Sequence, residues 1–497
     1  MCVLRTTRCE SVDLAPDARR VIAKPFLPRD EIYPDGSSRM EVVLQRILAM
    51  PESDVITSLA AAGDDFADRH RDLDATLERN FEIVAARFDR DDLVSQPMST
   101  DRRRLVGAYF THEYSIEAAA LANPSIVAAP DQSGLGPGEV RFVMSLRGIG
   151  EGHISSIEFR SGVVAANGDV RIDAVSPFAT TGDRTPHAYD KGFFTTRLDD
   201  LSLLNEVEQR VLARLEERFT SADLEEAMTA VHADDAQRAV SGEATKVFHW
   251  LMSSNYRTSF PASIELSERV LYPSSPTESH GMEDARFVRF VDDDGTVTYY
   301  ATYTAFDGHQ ITPQLLETTD FAAFRISTLS GRTAHNKGMA IFPRRIDGRF
   351  VALSRHDNVN NYVMTSHDVR VWRESTRIQE PERPWELMQL GNCGSPLETE
   401  AGWLVITHGV GPFRRYHLGA LLLDLEDPSR VIGHLKEPLL DPADDERDGY
   451  VPNVVYSCGA MIHGDRVMLP YGYSDIGTRM VTVGLSELLD SLTRPGR

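Results

Sequence analysis

Residues 349–355 read Arg-Phe-Val-Ala-Leu-Ser-Arg, an apolar run of strand length that stops on the charged Arg355. Four other stretches share this shape: Arg141-Phe-Val-Met-Ser-Leu-Arg147, the tyrosine-rich run from Thr298 to Asp307, Gly402-Trp-Leu-Val-Ile-Thr-His408, and the run from Arg466 to Asp475. From Asp307 onward the terminal polar residues are spaced 48, 53 and 67 apart. That is close to the length of a four-stranded propeller blade, whereas helical-hairpin repeats recur every ~34 to 47 residues. The reading is a mainly β protein with five blades, in which inner-strand ends deliver side chains to one central funnel. A site built this way needs no contiguous motif.

Outside the repeats the pattern changes to that of helices. Phe66, Leu73, Leu77, Phe81, Val84 and Phe88 are spaced 7, 4, 4, 3 and 4 apart, which is one helix face. Residues 38–90 are therefore expected to be mostly helical, and Thr111-His-Glu-Tyr-Ser-Ile-Glu-Ala-Ala-Ala-Leu-Ala122 reads as a further helix. The basic triplet Arg102, Arg103 and Arg104 reads as a solvated face. A second helical island at about 198–245 keeps a helical period through Leu204, Val207, Val211 and Leu215, with Thr220 and Asp223 offering capping chemistry. The domain reading is an N-terminal helical extension over 1–110 and a propeller over 111–497 that carries the island as an insertion.

Composition limits what the chain does. In 497 residues, 52 basic side chains stand against 75 acidic ones, for a net charge of −23. This opposes a nucleic-acid partner, whose binding depends on clustered basic residues that neutralise phosphates. No signal-length apolar run opens the sequence and no stretch of membrane-spanning length occurs, so the expectation is a cytoplasmic protein without a membrane partner. Four cysteines (Cys2, Cys9, Cys393 and Cys458) without a Cys-x-x-Cys pair fit free thiols rather than a disulfide framework or a zinc site. No metal or cofactor is expected. Gly148-Ile-Gly-Glu-Gly152 lacks the spacing of a dinucleotide-binding loop and reads as a turn near the funnel.

Gly281-Met-Glu-Asp284-Ala-Arg286 places an acidic pair between a turn and a strand. The arginine is positioned to hold one carboxylate and leave the other for acid chemistry. It belongs to an ordered series: Asn123-Pro-Ser; Ser-Leu-Arg147; the Glu-Asp-x-Arg segment; Asn336-Lys337 through Arg355; Gly391-Asn-Cys-Gly-Ser-Pro through His408-Gly-Val; Tyr416-His-Leu-Gly; and Tyr471-Gly-Tyr-Ser-Asp475. The series resembles glycoside hydrolase family 130, five-bladed propeller enzymes that are mostly β-mannoside phosphorylases, over about residues 120–490.

The resemblance implies roles. Asp284 corresponds to the general acid, which in that family passes its proton through the sugar 3-hydroxyl to the glycosidic oxygen. Asn123, Arg147 and Asp475 correspond to residues that hold the same sugar, Lys337 and Arg355 to the basic pair that binds inorganic phosphate, and His408 and Tyr416 to neighbours of that anion. Where many family phosphorylases carry a third phosphate-binding lysine, 19 residues before the His-Gly-Val motif, this chain has Gln389. The implied activity is inverting phosphorolysis of a β-mannoside to α-mannose 1-phosphate. A hydrolase or transglycosylase of similar substrates, favoured by Gln389, and a non-catalytic carbohydrate-binding propeller stand as alternatives. A single acid suits a nucleophile that is already an anion, since phosphate needs guidance rather than deprotonation. An inverting hydrolase needs a second carboxylate about 6.5–9.5 Å from the first. The N-terminal helices are the expected place for homo-oligomer contacts.

Overall fold

The computed structural model describes residues 4–28, 33, 36–88, 97–185, 187–234 and 242–492, which leaves Cys2 outside the described part. It divides into two compact units: one of Met1–Pro16, Ala119–Val175 and Thr181–Arg497, the other of Asp17–Ala118 and Ser176–Thr180.

The larger unit is a five-bladed β-propeller. Its first blade orders Ala120–Ala128, Val140–Ile149, Ser155–Val164 and Val170–Ile172 as neighbouring antiparallel strands. The second runs through Gly281–Val291, Val297–Phe306, Ile311–Thr318 and Ala323–Thr328. The third comprises Ala340–Ile341, Phe350–Ser354, Asn361–Ser366 and Glu374–Gln379, and the fourth Gln389–Asn392, Gly402–Val410, Tyr416–Leu423 and Val431–His434. The fifth blade takes Val455–Tyr456, Arg466–Tyr473 and Gly477–Gly484 from the C-terminal part, and its outermost strand, Thr7–Leu14, from the N-terminal part. Closing a blade with strands from both ends of the chain locks the ring and removes a sheet edge.

The five repeats of the sequence are real, but they lie one strand further out than expected. Each corresponds to the second strand of its blade, and the innermost strands precede it. Second strands are covered on both faces by adjoining blades, so they read as continuous apolar runs; Gly402–Val410 is buried at every position. Unlike Arg355, His408 and Asp475, Asp307 does not line the cavity described below; its carboxylate accepts the backbone N–H groups of His309 and Gln310 in a turn.

The helical insertion comprises Lys191–Asp200, Glu206–Ala213, Ser221–Asp234 and Gly242–Ser254, wider than the expected 198–245. It has its own core of Phe194, Leu198, Val211, Leu224, Phe248 and Leu251. The strands flanking it, Asp183–Thr185 and Tyr256–Ser259, add to the outer edge of the second blade and fix it there.

In the smaller unit the helices Arg39–Leu48, Glu52–Phe66, Leu73–Phe88 and Thr100–Tyr109 surround Leu44, Val55, Phe81, Val84, Leu105 and Phe110. Ser38 and Glu41 form a capping box at the first helix. The expected extension over 1–110 is thus split, because Thr7–Leu14 serves the propeller. The expected helix over 111–122 is also replaced: Thr111–Ser115 pairs with Val21–Pro25, and Ala120 begins the first blade. Burial of Tyr114, Ile116, Leu121 and Ala122 overrides a helical propensity that rests on Glu and Ala. The arginine triplet ties helices together while remaining partly solvated, Arg103 most of all. Arg102 donates to the Ile47 and Met50 carbonyls and pairs with Glu52, while Arg103 and Arg104 pair with Glu78 and Asp74. Among the described residues no helix is long and apolar enough to cross a membrane.

Candidate active site

One cavity of about 190 Å³ draws on all five blades. Asn123 comes from the first, Asp284 from the second, Lys337 and Arg355 from the third, Gln389, His408, Arg414 and Tyr416 from the fourth, and Val451, Val454, Tyr456 and Asp475 from the fifth. Eight of the nine residues singled out in the sequence line it. The ninth, Arg147, stands behind Asp284: its Nη2 donates to Glu283 Oε1 at 2.7 Å, its Nη1 to Asp284 Oδ1 at 3.4 Å and its Nε to Ser155 Oγ at 2.8 Å.

Backbone irregularities aim these side chains. The register between the first two strands of the first blade shifts between Ala122 and Ser125, and the equivalent register of the second blade shifts between Glu283 and Arg286. These bulges hold Asn123 at φ 51° and Asp284 at φ 56°; Asp475 sits at φ 48° and Asn336, beside Lys337, at φ 60°. Left-handed backbone at non-glycine residues costs about 1–3 kcal/mol each, and Asn and Asp tolerate it best. Bulges of this kind re-aim side chains next to functional sites. Close approach elsewhere depends on glycine. A Cβ on Gly391 would lie 2.5 Å from His408 Cε1, and one on Gly472 would lie 2.8 Å from the Asn123 nitrogen.

On one side of the cavity lies a carboxylate cluster. Asn123 Nδ2 donates to Asp284 Oδ1 at 2.6 Å, and Lys337 Nζ lies 2.5 Å from Glu283 Oε2. Burial raises the proton affinity of Asp284, yet Arg147, Lys337, the Asn123 bond and Arg286 together outweigh it and hold the carboxyl below its ordinary range. Asp475 goes the other way: burial, with Asp284 and Glu283 nearby, raises it against the pull of Arg147. Of the two carboxyls Asp284 is therefore the more readily ionised, and Asp475 holds a proton more readily.

Lys337, Arg355, Gln389 and His408 also line this cavity. Arg355 Nη1 donates to His408 Nε2 at 3.3 Å, which leaves the ring proton on Nδ1, 3.7 Å from the Cys393 sulfur. Burial, and then the charges of Arg355 and Arg286, depress the His408 pKa well below its usual value. His408 is a neutral ring that orients Arg355, flanked by Tyr416 and Tyr456. Arg355 Nε and Asn123 Oδ1 are buried without a hydrogen-bond partner among the described residues. One is a charged donor and the other an acceptor.

Sequence reasoning missed Glu283, Arg286, Arg414 and Tyr456, and it misassigned one contact. Arg286 does not hold the acidic pair. Past the bulge it reaches the Asn392 carbonyl and side chain at 2.8 and 2.7 Å and the Tyr456 hydroxyl at 2.8 Å, joining the fourth and fifth blades. The guanidinium on Glu283 belongs to Arg147. Glu283 and Arg286 stand inside a motif already quoted, so a signal was present; Tyr456 lies on a two-residue strand that carries none. Among the described residues no group of three or more His, Cys, Asp or Glu is arranged to hold a metal ion, and Cys9, Cys393 and Cys458 are free thiols.

Residues 261–494 match a family model described as Glyco_hydro_130, beta-1,4-mannooligosaccharide phosphorylase. The 1,2-beta-oligomannan phosphorylase of Thermoanaerobacter sp. (strain X514) is 34% identical over 233 residues, 46% of this chain and 75% of that protein. The beta-1,2-mannobiose phosphorylase of Listeria innocua is 33% identical over 230 residues, 45% of this chain and 63% of that protein. The solved structure of the Listeria innocua beta-1,2-mannobiose phosphorylase in complex with beta-1,2-mannobiose superposes with a TM-score of 0.45 at 22% identity, covering 76% of this chain and 93% of that one.

Proposed function

This chain belongs to glycoside hydrolase family 130, and from that premise we infer that it is a β-mannoside phosphorylase, which cleaves the terminal mannosyl unit of a β-mannoside with inorganic phosphate. The relatives at 34% and 33% identity make a β-1,2-linked mannoside the first substrate to test.

The observation that carries the reading is the convergence in one cavity of the cations Lys337 and Arg355 with Asn123, Asp284 and Asp475. Phosphate then bridges Lys337 and Arg355, where arginine supplies a planar fork and lysine a mobile point charge. The mannosyl ring lies against Asn123, Asp284 and Asp475.

A phosphate oxygen attacks the anomeric carbon as the bond to the glycosidic oxygen breaks, which inverts the configuration and gives α-mannose 1-phosphate. The leaving oxygen takes the sugar 3-hydroxyl proton, and Asp284 resupplies that hydroxyl. Asp284 therefore has to be protonated at the moment of reaction, although its cationic neighbours favour the ionised form. Phosphate resolves this conflict. An anion on Lys337 offsets part of the positive field that depresses Asp284 and raises its proton affinity. Binding of the nucleophile thus charges the acid.

Incubation with β-1,2-mannobiose and with β-1,4-mannooligosaccharides, with and without phosphate, tests the reading. α-Mannose 1-phosphate should form only when phosphate is present, and the reverse reaction should build β-mannosides from it. Free mannose released equally with and without phosphate would replace phosphorolysis by hydrolysis.

A further inference from the structure

Among the described residues, the four most exposed large apolar side chains are Phe413 at 99%, Met388 at 61%, Leu387 at 60% and Tyr450 at 55%. None is scattered at random. Met388 precedes Gln389, Phe413 precedes Arg414 and Tyr450 precedes Val451, and Gln389, Arg414 and Val451 all line the active-site cavity. Isolated exposed apolar residues need no explanation, but a set gathered around one opening marks a binding surface.

Two details argue that the set is built rather than incidental. Phe413 and Arg414 stand consecutively at φ 55° and 54° in the turn between two strands of the fourth blade, a strained conformation for two non-glycine residues. The strain leaves a phenyl ring fully in solvent. Tyr450 stacks on His153, with ring centroids 5.1 Å apart and planes 26° from parallel. His153 is itself left-handed, at φ 60°, and ends the Gly-Ile-Gly-Glu-Gly turn of the first blade.

We propose that Phe413 and the Tyr450–His153 stack form a carbohydrate platform outside the cavity, which binds the sugar units of an oligosaccharide beyond the one being cleaved. The proposal rests on the phosphorylase reading of the same site. A cavity of about 190 Å³ is smaller than the roughly 300 Å³ at which ligand pockets usually begin. Once it holds the reacting mannosyl unit and phosphate, the rest of the substrate has to emerge over the rim. The rim's chemistry suits that occupant. A pyranose presents an apolar C–H face for Phe413 and Tyr450 and a hydroxyl edge for His153 and the Arg414 guanidinium, and aromatic rings offer large contact area at low entropic cost.

The experiment measures kcat/KM for phosphorolysis of the β-mannose disaccharide, trisaccharide and tetrasaccharide by the full chain and by Phe413→Ala and Tyr450→Ala. In the wild type kcat/KM should rise with chain length. Each variant should lose about 3- to 10-fold on the longer substrates, the worth of one aromatic contact, with less loss on the disaccharide and an unchanged KM for phosphate. Both side chains are exposed, so folding is not at stake. Turnover that is independent of length in the wild type, or an equal loss on every substrate, would overturn the platform and leave the phosphorylase reading standing. If no mannoside turned over, that reading would fall instead. Calorimetric titration with the tetrasaccharide would then decide the platform: binding weakened in both variants supports it, and absent or unaffected binding overturns it.

Discussion

The ammonium of Lys337 rests on the carboxylate of Glu283, 2.5 Å from Oε2, while the other oxygen of that carboxylate holds Arg147 at 2.7 Å. One buried anion thus fixes a residue assigned to phosphate and a residue behind Asp284. Phosphate has to draw Lys337 at least partly from this partner, so Glu283 competes with the anion even as it orders the site.

Replacing Glu283 with Gln separates these effects. The amide keeps one acceptor oxygen, which can still serve Arg147, and no longer holds the Lys337 ammonium or opposes phosphate, so KM for phosphate should fall, by about 2- to 10-fold for a partly screened neighbouring charge. Turnover should fall by about tenfold or more as Arg147 loses a charge-assisted bond. Lys337→Ala should do the reverse to phosphate, raising its KM several-fold. Steady-state kinetics with phosphate varied at saturating mannoside reads both changes. A raised phosphate KM in Glu283→Gln would contradict the competition.

Asp284 and Asp475 should respond oppositely to loss of charge. Asp284 is depressed in the folded protein, so its ionised form contributes stability above the ordinary carboxylate pKa of about 3.9, and the contribution is lost as pH falls through the lower folded value. Asp475 is raised, so its ionisation costs stability as pH climbs from that same ordinary value through the higher folded one. At pH 7 Asp284→Asn should lower the melting temperature and Asp475→Asn should raise it. Both differences should shrink on acidification below about pH 4. Asp284→Asn should also cut turnover by about two to four orders of magnitude, the usual worth of a positioned acid. Thermal melts across pH, set beside single-turnover rates, test the pair.

What the sequence concealed has a physical pattern. The second strand of each blade was legible because it is long and apolar throughout, as in Gly402–Val410. The innermost strands were not, since Ala340–Ile341 and Val455–Tyr456 are two residues long and no periodicity survives at that length. Residue types marked Asn123, Asp284 and Lys337, but the bulges that aim Asn123 and Asp284 depend on pairing with strands some 20 residues away. The closing strand was hidden for the same reason. Thr7–Leu14 is mostly polar and buries Val12 alone, so nothing local distinguishes it from an extension.

That strand supplies a stability prediction. Val12 is fully buried among Leu121, Met468 and Met480, where the first and fifth blades meet. Val12→Ala should destabilise the propeller by about 1–3 kcal/mol, for two methyl groups and the space they leave. Val12→Asp should cost more, because an unpaired carboxylate has no place there. Chemical denaturation followed by tryptophan fluorescence, whose reporters Trp250, Trp372, Trp385 and Trp403 all lie in the larger unit, and by far-ultraviolet circular dichroism, which also reads the smaller unit's helices, measures both. A loss confined to the helical unit, with the propeller transition unmoved, would show that the ring does not depend on its N-terminal strand.

The last prediction turns on Gln389, a neutral residue in the cavity beside the two cations assigned to phosphate. It opens the innermost strand of the fourth blade opposite Val410 and lines the cavity with Lys337 and Arg355. His408 adds no charge there, since its ring is neutral and accepts from Arg355. On the phosphorylase reading the anion is therefore met by two cations, Lys337 and Arg355, with Arg414 in the same cavity. Gln389→Lys supplies a third, worth about 1–2 kcal/mol at a partly exposed position, so KM for phosphate should drop roughly 5- to 30-fold. The same substitution decides what Gln389 does. If it is a weakened phosphate ligand, the tighter binding should come with unchanged or slower release of α-mannose 1-phosphate and no change in free mannose. If it orients a water molecule, free mannose formed without phosphate should disappear while phosphate affinity barely moves. Product analysis by anion-exchange chromatography distinguishes the outcomes, and loss of water-dependent cleavage alone would move the enzyme to the hydrolytic branch of its family.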